Sequence, residues 1–533
     1  MRLSRIEWSN YRRLPDSAID LRNHLVLIGP NDVGKSSILR AIHLCIGISG
    51  AQLTSAIQER DFTSTDSPLE LVLTFVDLDR EERITFPDEI DLGSPELLRI
   101  KLTAQIDPSD PEAFTISRSF PDSGRSRSPS RLQLDTIGWA YIPATRSLIR
   151  ELGSTGGGAI HALLSSVDLG EDADAINSAM GSVRDALDES RVFGDLRSEL
   201  AEALSGTLPR TIDKDDLHLR DEGEISGDPL RGVVITVNND GAHTPLSEQS
   251  DGFRAMSLLA VLGVSHRTAK IVGIDEPETH LHASAQRTIG RSLASDVGQR
   301  CVATHSSAIV SQMNPMDIAV LGADHRVRQL PATSTLSTSE EVTRHWSSRL
   351  LEPLTARKLI FVEGPADRIL LQGIAQTSAI DLDRFGVVIF ELDGSGFFGT
   401  AYNFFGPSGF DLPLSAMLDE DARNGWAQVM NIDPLTLETE GFLVNSPDLE
   451  AEYVDALEST RILELLAASG MDETRIRRAT GLSTGSPIGS SELRDYCGHK
   501  KRKVQCSLAV ANGLNTSDLV NLRSFVDFLK EST

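Results

Sequence analysis

The sequence predicts an α/β protein made of two successive α/β parts, and three observations carry that prediction. An apolar run, Leu25-Val26-Leu27-Ile28, meets a glycine-rich turn and then a helical pattern over about 35–46. A second apolar run, Ile271-Val272-Gly273-Ile274, stops at Asp275-Glu276. A third, Lys358-Leu359-Ile360-Phe361-Val362, opens a new alternation of strand and helix in which strand after strand ends in carboxylates. Apolar strands with polar chemistry at their C-terminal ends are the pattern of parallel sheets, which gather functional groups along one edge.

Taken in order, Leu3 to Trp8 alternates as a half-buried strand, and strand-like runs follow at Leu69–Phe75, Leu98–Gln105, Phe114–Phe120 and Trp139–Ile142. Residues 121–130, rich in Ser, Arg and Pro, read as a surface loop. From 147 to about 205 apolar residues recur at three- and four-residue spacing (Ala173, Ile176, Met180, Val183, Leu187), a helical insert. The charged stretch 213–228 is expected to be a loop, and a strand returns at Val233–Val237. Strands and helices alternate to about Leu330, and 331–340, rich in Ser and Thr, reads as a linker. The expected divisions are therefore 1–146, 147–205, 206–345 and 346–533.

With 533 residues, of which 40% are hydrophobic and 24% charged, the chain can bury large cores, in roughly three or four domains. No apolar run approaches the ~18–20 residues of a membrane span, the best being Ser257 to Val264, and residues 1–7 lack a signal-peptide core. The four cysteines, Cys45, Cys301, Cys497 and Cys506, are scattered, which excludes a disulfide scaffold and leads us to expect a cytoplasmic protein with no membrane partner. Lys and Arg number 51 against 77 Asp and Glu, a net charge of −26. That balance argues against a wholly basic nucleic-acid binder, so any attraction to DNA has to come from local basic patches or from metal-bridged phosphates.

Gly29-Pro30-Asn31-Asp32-Val33-Gly34-Lys35-Ser36 fits the G-x-x-x-x-G-K-[ST] phosphate loop, in the required place between a strand and a helix. Backbone N–H groups of such a loop curl around phosphates, and the helix N-terminus adds its positive end. Asn31, Gly34, Lys35, Ser36 and Ser37 are the nucleotide-binding candidates, with Lys35 directed at the β- and γ-phosphates of ATP and Ser36 at Mg²⁺. Asp275 is the second candidate for Mg²⁺, and Glu276 the residue that would polarise an attacking water. His305, ending the short strand Cys301-Val302-Ala303-Thr304, is a candidate for the γ-phosphate. Ser250, in Ser250-Asp251-Gly252 ahead of a helix, is either a helix cap or a hydroxyl offered to a phosphate across a dimer interface.

In this order the motifs resemble the ABC-type ATPase heads of DNA-repair and chromosome-maintenance proteins. Asn10-Tyr11-Arg12 is similar to their N-terminal Asn-Phe-Arg element, and Glu276-Pro277-Glu278-Thr279-His280-Leu281-His282 resembles the variant in overcoming-lysogenization-defect nucleases. Three features depart from the pattern: Ser250-Asp251-Gly252 lacks the paired glycines, Ala283 replaces a usual Pro, and Gln58 is a weak candidate for the Q-loop glutamine. The resemblance implies ATP binding with ATP hydrolysis that can be slow, a homodimer or higher homo-oligomer completed by Ser250, and a dimerisation role for the helical insert.

In the C-terminal part, Glu363 ends the strand 358–362, Asp367 follows in Glu363-Gly364-Pro365-Ala366-Asp367, and Asp419-Glu420-Asp421 ends the apolar stretch 412–418. Converging carboxylates repel one another unless a divalent cation neutralises them, and hard oxygen donors suit Mg²⁺ or Mn²⁺. Glu363, Asp367, Asp419 and Asp421 are the metal-ligand candidates, with Glu391 and Asp393 as a lower-ranked competing pair. This Glu-Gly-x-x-Asp…Asp-x-Asp arrangement resembles the Toprim domain of topoisomerases, primases and the same nucleases. The resemblance adds Glu450, in Asp448-Leu449-Glu450, as a holder of a second metal. It also adds a lysine, and His499-Lys500-Lys501-Arg502-Lys503 supplies Lys503 with Lys501 as its rival. The neighbours of Lys503 would meet phosphate backbone.

The chain is thus expected to be an ABC-type ATPase head with a helical dimerisation insert, followed by a Toprim α/β domain, of the overcoming-lysogenization-defect family, a Gabija-type nuclease subunit included. Metal-dependent DNA cleavage, anti-phage defence and a helicase-like partner are what the resemblance implies, and ATP between paired heads is expected to gate cutting, either permitting or inhibiting it. The alternative is an ATP-dependent DNA clamp or sensor with a non-cleaving Toprim domain. A topoisomerase would need a tyrosine nucleophile, and none of the five tyrosines sits in a recognisable strand-passage domain.

Overall fold

The computed structural model describes residues 1–107, 110–123, 127–144, 190–207, 210–221, 233–239, 242–245, 270–279, 281–295, 298–332, 345–483 and 486–533, with 182, 186, 189, 253 and 342 singly. The chain divides into two compact units, Met1–Val327 and Arg328–Thr533. The division falls ahead of the expected 345/346 break, because Val342 is already buried and the His345 ring lies 4.7 Å from that of Phe397 in the second unit.

In the first unit, Leu25–Ile28 is buried at all four positions and lies inside a parallel sheet. The strands run Ile318–Leu321, Leu25–Ile28, Gln299–Ala303, Ile271–Asp275, Trp139–Ile142, each parallel to its neighbours. An antiparallel sheet follows the order Ser17–Asp20, Arg2–Ser9, Leu69–Val76, Leu97–Asp107, with Asp110–Ser119 paired to the last. The helix Lys35–Ile46 turns Ile38, Leu39, Ile42, Cys45 and Ile46 into a core shared with both sheets, among them Leu27, Cys301, Leu73 and Leu102. Burying a side chain of this size stabilises by roughly 1.5–3 kcal/mol, so the helix, and the phosphate loop that opens it, are fixed by packing rather than by propensity.

The expected loop over 213–228 is corrected in part. Leu217–Asp221 is a strand, paired antiparallel with Val233–Asn239. Its alternation Leu217-His218-Leu219-Arg220 is a period-two pattern that the charge of the surrounding stretch conceals. Of the expected insert 147–205, the helix Arg191–Thr207 is described. The rest of it, apart from isolated residues, lies outside the described residues, as do Ser250 and most of the 331–340 linker.

The second unit is built on four parallel strands in the order Val387–Glu391, Lys358–Val362, Leu414–Asp419, Phe442–Asn445. Helix Pro365–Thr377 follows the strand Lys358–Val362, with proline at its first position where the missing N–H costs nothing. Helix Leu449–Ala468 follows Phe442–Asn445; Asp448 caps it by accepting the Ala451 N–H at 2.8 Å, and its path breaks at Glu458 (φ 63°). Helix Lys503–Gly513 packs on both. Where it crosses Pro365–Thr377, Gly373 faces Ala511 so closely that a Cβ on the glycine would stand 2.5 Å from the alanine Cβ. Among the described residues, no helix is long and apolar enough to cross a membrane.

Candidate active site

The parallel register of the first unit sets the nucleotide motifs side by side. Asp275 pairs in register with Ala303, and Ala303 with Leu27, so the turns after these strands share one edge. The phosphate loop leaves that edge through Gly29 (φ 151°) and enters the helix through Gly34 (φ 110°). A Cβ at Gly29 would sit 2.2 Å from the Leu321 carbonyl oxygen, so no other residue fits there. Lys35 Nζ donates to the carbonyls of Gly29 and Pro30 at 3.1 and 2.7 Å, which holds the ammonium inside its own loop. Ser36 Oγ donates to Asp275 Oδ1 at 3.0 Å, bringing the two Mg²⁺ candidates together. Burial pushes the Asp275 carboxyl up, against that hydrogen bond. His305 is pushed down, by burial first and by Lys35 second, so its imidazole is predominantly neutral at pH 7.

Two carboxylates here have roles that motif reading missed. Glu278 ties down the turn that presents His305: it accepts the His305 N–H at 2.5 Å and the Thr304 hydroxyl at 2.8 Å. Asp61, fully buried, takes Arg12 on one oxygen and Arg40 on the other, both at 2.9 Å. Arg12 also donates to Ser37 Oγ at 3.0 Å, and the Tyr11 hydroxyl donates to the Ser37 carbonyl at 3.1 Å. The Asn10-Tyr11-Arg12 element therefore clamps the first turn of the helix, and Ser37 is engaged there. Asn31 is exposed at the loop tip, and Gln58 is exposed beside Asp61.

Burial lowers the Lys35 pKa to about 8, against the pull of Glu276, Asp275 and Glu278. Triphosphate in the loop would raise it again. At pH 8, nucleotide binding without metal should therefore take up on the order of half a proton, fading towards pH 6.5. Calorimetry in buffers of different ionisation enthalpy measures this, and Lys35→Arg, charged throughout, should bind without the uptake.

In the second unit the parallel strands bring Glu363 and Asp419 to one edge, where Glu363 Oε1 accepts the Asp419 N–H at 3.2 Å. Asp367 turns back to accept the Gly364 N–H at 2.7 Å. Lys503, first residue of its helix, sets Nζ 3.6 Å from Asp419 Oδ2 and 3.1 Å from Glu450 Oε2, so one ammonium bridges two carboxylates from different elements. Asp421 is not gathered with them; it stands exposed in the turn Glu420–Ala422 and reaches Glu363 only through its charge. Lys501 is exposed. The competing pair is held elsewhere, Glu391 by Arg368 and Asp393 by Arg349.

These acids are short of positive charge. Burial pushes Glu363 up to about 7, with Asp419, Asp367 and Asp421 adding to the effect. Burial likewise takes Asp367 up to about 6, and Glu450 to about 7 in spite of Lys503. Only one Glu450 oxygen meets the lysine; Glu450 Oε1 is buried and has no hydrogen-bond partner. Burial disfavours the Lys503 ammonium, but Glu450, Asp419 and Asp367 outweigh it and push its pKa up, so it stays charged. An orphaned buried oxygen among carboxylates that resist ionisation is a donor set that fits a hard divalent cation. Among the described residues, no three His, Cys, Asp or Glu side chains stand close enough to cage an ion as they are, and Lys503 lies between two of the candidates.

Comparison with known proteins agrees with this division. Residues 25–311, more than half of the chain, match the AAA domain family whose description names the AbiEii toxin and type IV TA systems. Residues 354–421 match the TOPRIM domain of overcoming-lysogenization-defect (OLD) protein-like sequences. The chain belongs to that AAA domain family and carries an OLD-like Toprim domain. It is 22% identical to the OLD nuclease of Thermus scotoductus over 79% of this chain and 82% of that one. It is 21% identical to Endonuclease GajA of Bacillus cereus over 74% of this chain and 72% of that one. A solved C-terminal region of the Burkholderia pseudomallei OLD protein is 21% identical; the match covers 33% of this chain and 98% of that structure, with a TM-score of 0.27. An AAA domain joined to an OLD-like Toprim domain implies nucleotide and divalent-metal use.

Proposed function

We propose that this chain is an ATP-binding endonuclease that cuts DNA with Mg²⁺ or Mn²⁺, works as a homodimer or higher homo-oligomer, and serves anti-phage defence, with a helicase-like partner as one arrangement. The observation that carries the reading is the Lys503 ammonium lodged between Asp419 and Glu450, on the sheet edge that also holds Glu363. Relatives named as nucleases support it.

Glu363, Asp367, Asp419 and Glu450 would hold the cations, and the exposed Asp421 would join them only after its turn moves inward. A bound divalent cation supplies a nucleophilic hydroxide and charge neutralisation at the leaving oxygen. Lys503 meets the negative charge that builds on the phosphate oxygens as water attacks phosphorus and a P–O ester bond breaks. The exposed Lys500 and Lys501 hold the strand through its backbone, without reading sequence. In the ATPase unit Lys35 neutralises the β- and γ-phosphates, Ser36 and Asp275 hold Mg²⁺, Glu276 orients water, and neutral His305 offers an N–H to the γ-phosphate.

The clamp or sensor reading draws on the exposed Asp421 and on the lack of a ready-made acid cage among the described residues. Plasmid cleavage separates the two: nicked or linear product is expected with Mg²⁺ or Mn²⁺ and none with EDTA, and paired reactions with and without ATP give the sign of gating. DNA binding with no product under any metal would replace the nuclease by the clamp.

A further inference from the structure

Asn445 ends the strand Phe442–Asn445, and its register partner on the neighbouring strand is Asp419. The position is 1% exposed. Its amide Nδ2 donates to Asp419 Oδ1 at 3.4 Å, an oxygen that also accepts the Leu449 N–H at 2.9 Å. These two donors hold Oδ1 and leave Asp419 Oδ2 on the Lys503 side. The other end of the amide is the anomaly: Asn445 Oδ1 is buried and has no hydrogen-bond partner. Turning the amide over would bring that oxygen against the Asp419 carboxylate, so the repulsion fixes its orientation. Leaving a buried carbonyl oxygen unpaired costs stability, and such an atom persists where something else uses it. A second orphan, Glu450 Oε1, belongs to the helix that begins four residues after the strand ends. Two buried, unpartnered oxygens thus belong to side chains that meet Asp419, Asn445 directly and Glu450 through Lys503, and all three residues offer hard donors.

We propose that Asn445 is a further oxygen donor of the metal centre, its carbonyl oxygen joining Glu450 and Asp419 on a divalent cation or on a water of that cation's shell. Its amide N–H holds Asp419 in register at the same time. This rests on the metal-dependent reading of the Toprim site and adds a neutral donor to it. A neutral donor suits the place, because another carboxylate beside Asp419, Glu450 and Asp367 would worsen a charge excess that one lysine already fails to balance.

The test is Mn²⁺ binding to the full chain without DNA, followed by calorimetry and by the electron paramagnetic resonance of free Mn²⁺, together with thermal melting in EDTA. Asn445→Leu has nearly the shape of asparagine and removes the orphan. It should leave the melting temperature in EDTA close to wild type, because losing the unpaired oxygen offsets losing the long hydrogen bond to Asp419. Mn²⁺ affinity at the Toprim site should fall by about ten- to a hundred-fold, the usual cost of disturbing a supporting ligand. Asn445→Thr, which returns a neutral oxygen there, should restore part of the affinity. Asn445→Leu with wild-type Mn²⁺ affinity overturns the inference, as does Asn445→Thr binding as weakly as Asn445→Leu. A wild-type chain whose Mn²⁺ binding is indifferent to Asp419→Asn overturns the metal reading itself, and this inference with it.

Discussion

Asp419→Asn should lower metal-dependent DNA cleavage by at least about a thousand-fold while the protein stays folded. Asparagine keeps the oxygen that accepts the Leu449 N–H and the volume between the two strands, so the helix start at Leu449 remains anchored. What it removes is the charge facing Lys503 and, with it, a ligand at the point where three elements meet. Single-turnover nicking of supercoiled plasmid, run beside thermal melting, checks both halves. Cleavage within ten-fold of wild type at an unchanged melting temperature would remove Asp419 from the reaction.

Lys503→Met should cost cleavage about a hundred- to a thousand-fold, and here stability should move as well. The Lys503 side chain is 29% exposed but Glu450 is only 2% exposed, so the variant leaves a buried carboxylate without the cation that meets it. We expect a loss on the order of 1–2 kcal/mol, less than for a fully buried pair because water reaches the lysine. The sign of the pH dependence follows from Glu450. Its folded pKa, already raised by burial, rises further when Lys503 goes, above its value in the unfolded chain. A group raised in this way favours the folded state below its unfolded pKa, and the advantage disappears as pH climbs through the folded pKa. Wild type loses the same advantage up to its own Glu450 pKa of about 7, so the deficit of Lys503→Met should deepen above about pH 7. Adding Glu450→Gln should recover most of the stability and flatten the pH profile while leaving cleavage lost. If the double variant cleaves like wild type, neither residue serves the reaction.

What could be read from the sequence was local. The phosphate loop, Asp275-Glu276 and Glu363 through Asp367 are contiguous motifs, and each lies at a strand end because a run of apolar residues stops there. The boundaries of helix Lys35–Ile46 and strand Trp139–Ile142 follow from the same abrupt changes. What escaped depends on partners far apart in the chain. Asp61 looks like an ordinary surface acid until Arg12 and Arg40 close on it, and Glu278 lies in a recognised motif whose partner, the Thr304–His305 turn, arrives on another strand. Asn445 matters through its register with Asp419, which no spacing within either segment reveals. Asp421 errs the other way: a spacing that places two acids near each other in sequence does not keep both on the sheet edge once the chain turns at Glu420–Ala422.

The close approach of Gly373 to Ala511 ties reactivity to plain bulk. Lys503 rides at one end of a helix whose distance from Pro365–Thr377, the helix carrying Asp367, is set by a missing side chain more than two turns away. A methyl group added there wedges the two helices apart and works as a lever on the ammonium. Variation at 373 or 511 would thus act as a slow dial on turnover in chains that still fold, and the tolerance of this crossing to size sets how freely the nuclease can drift.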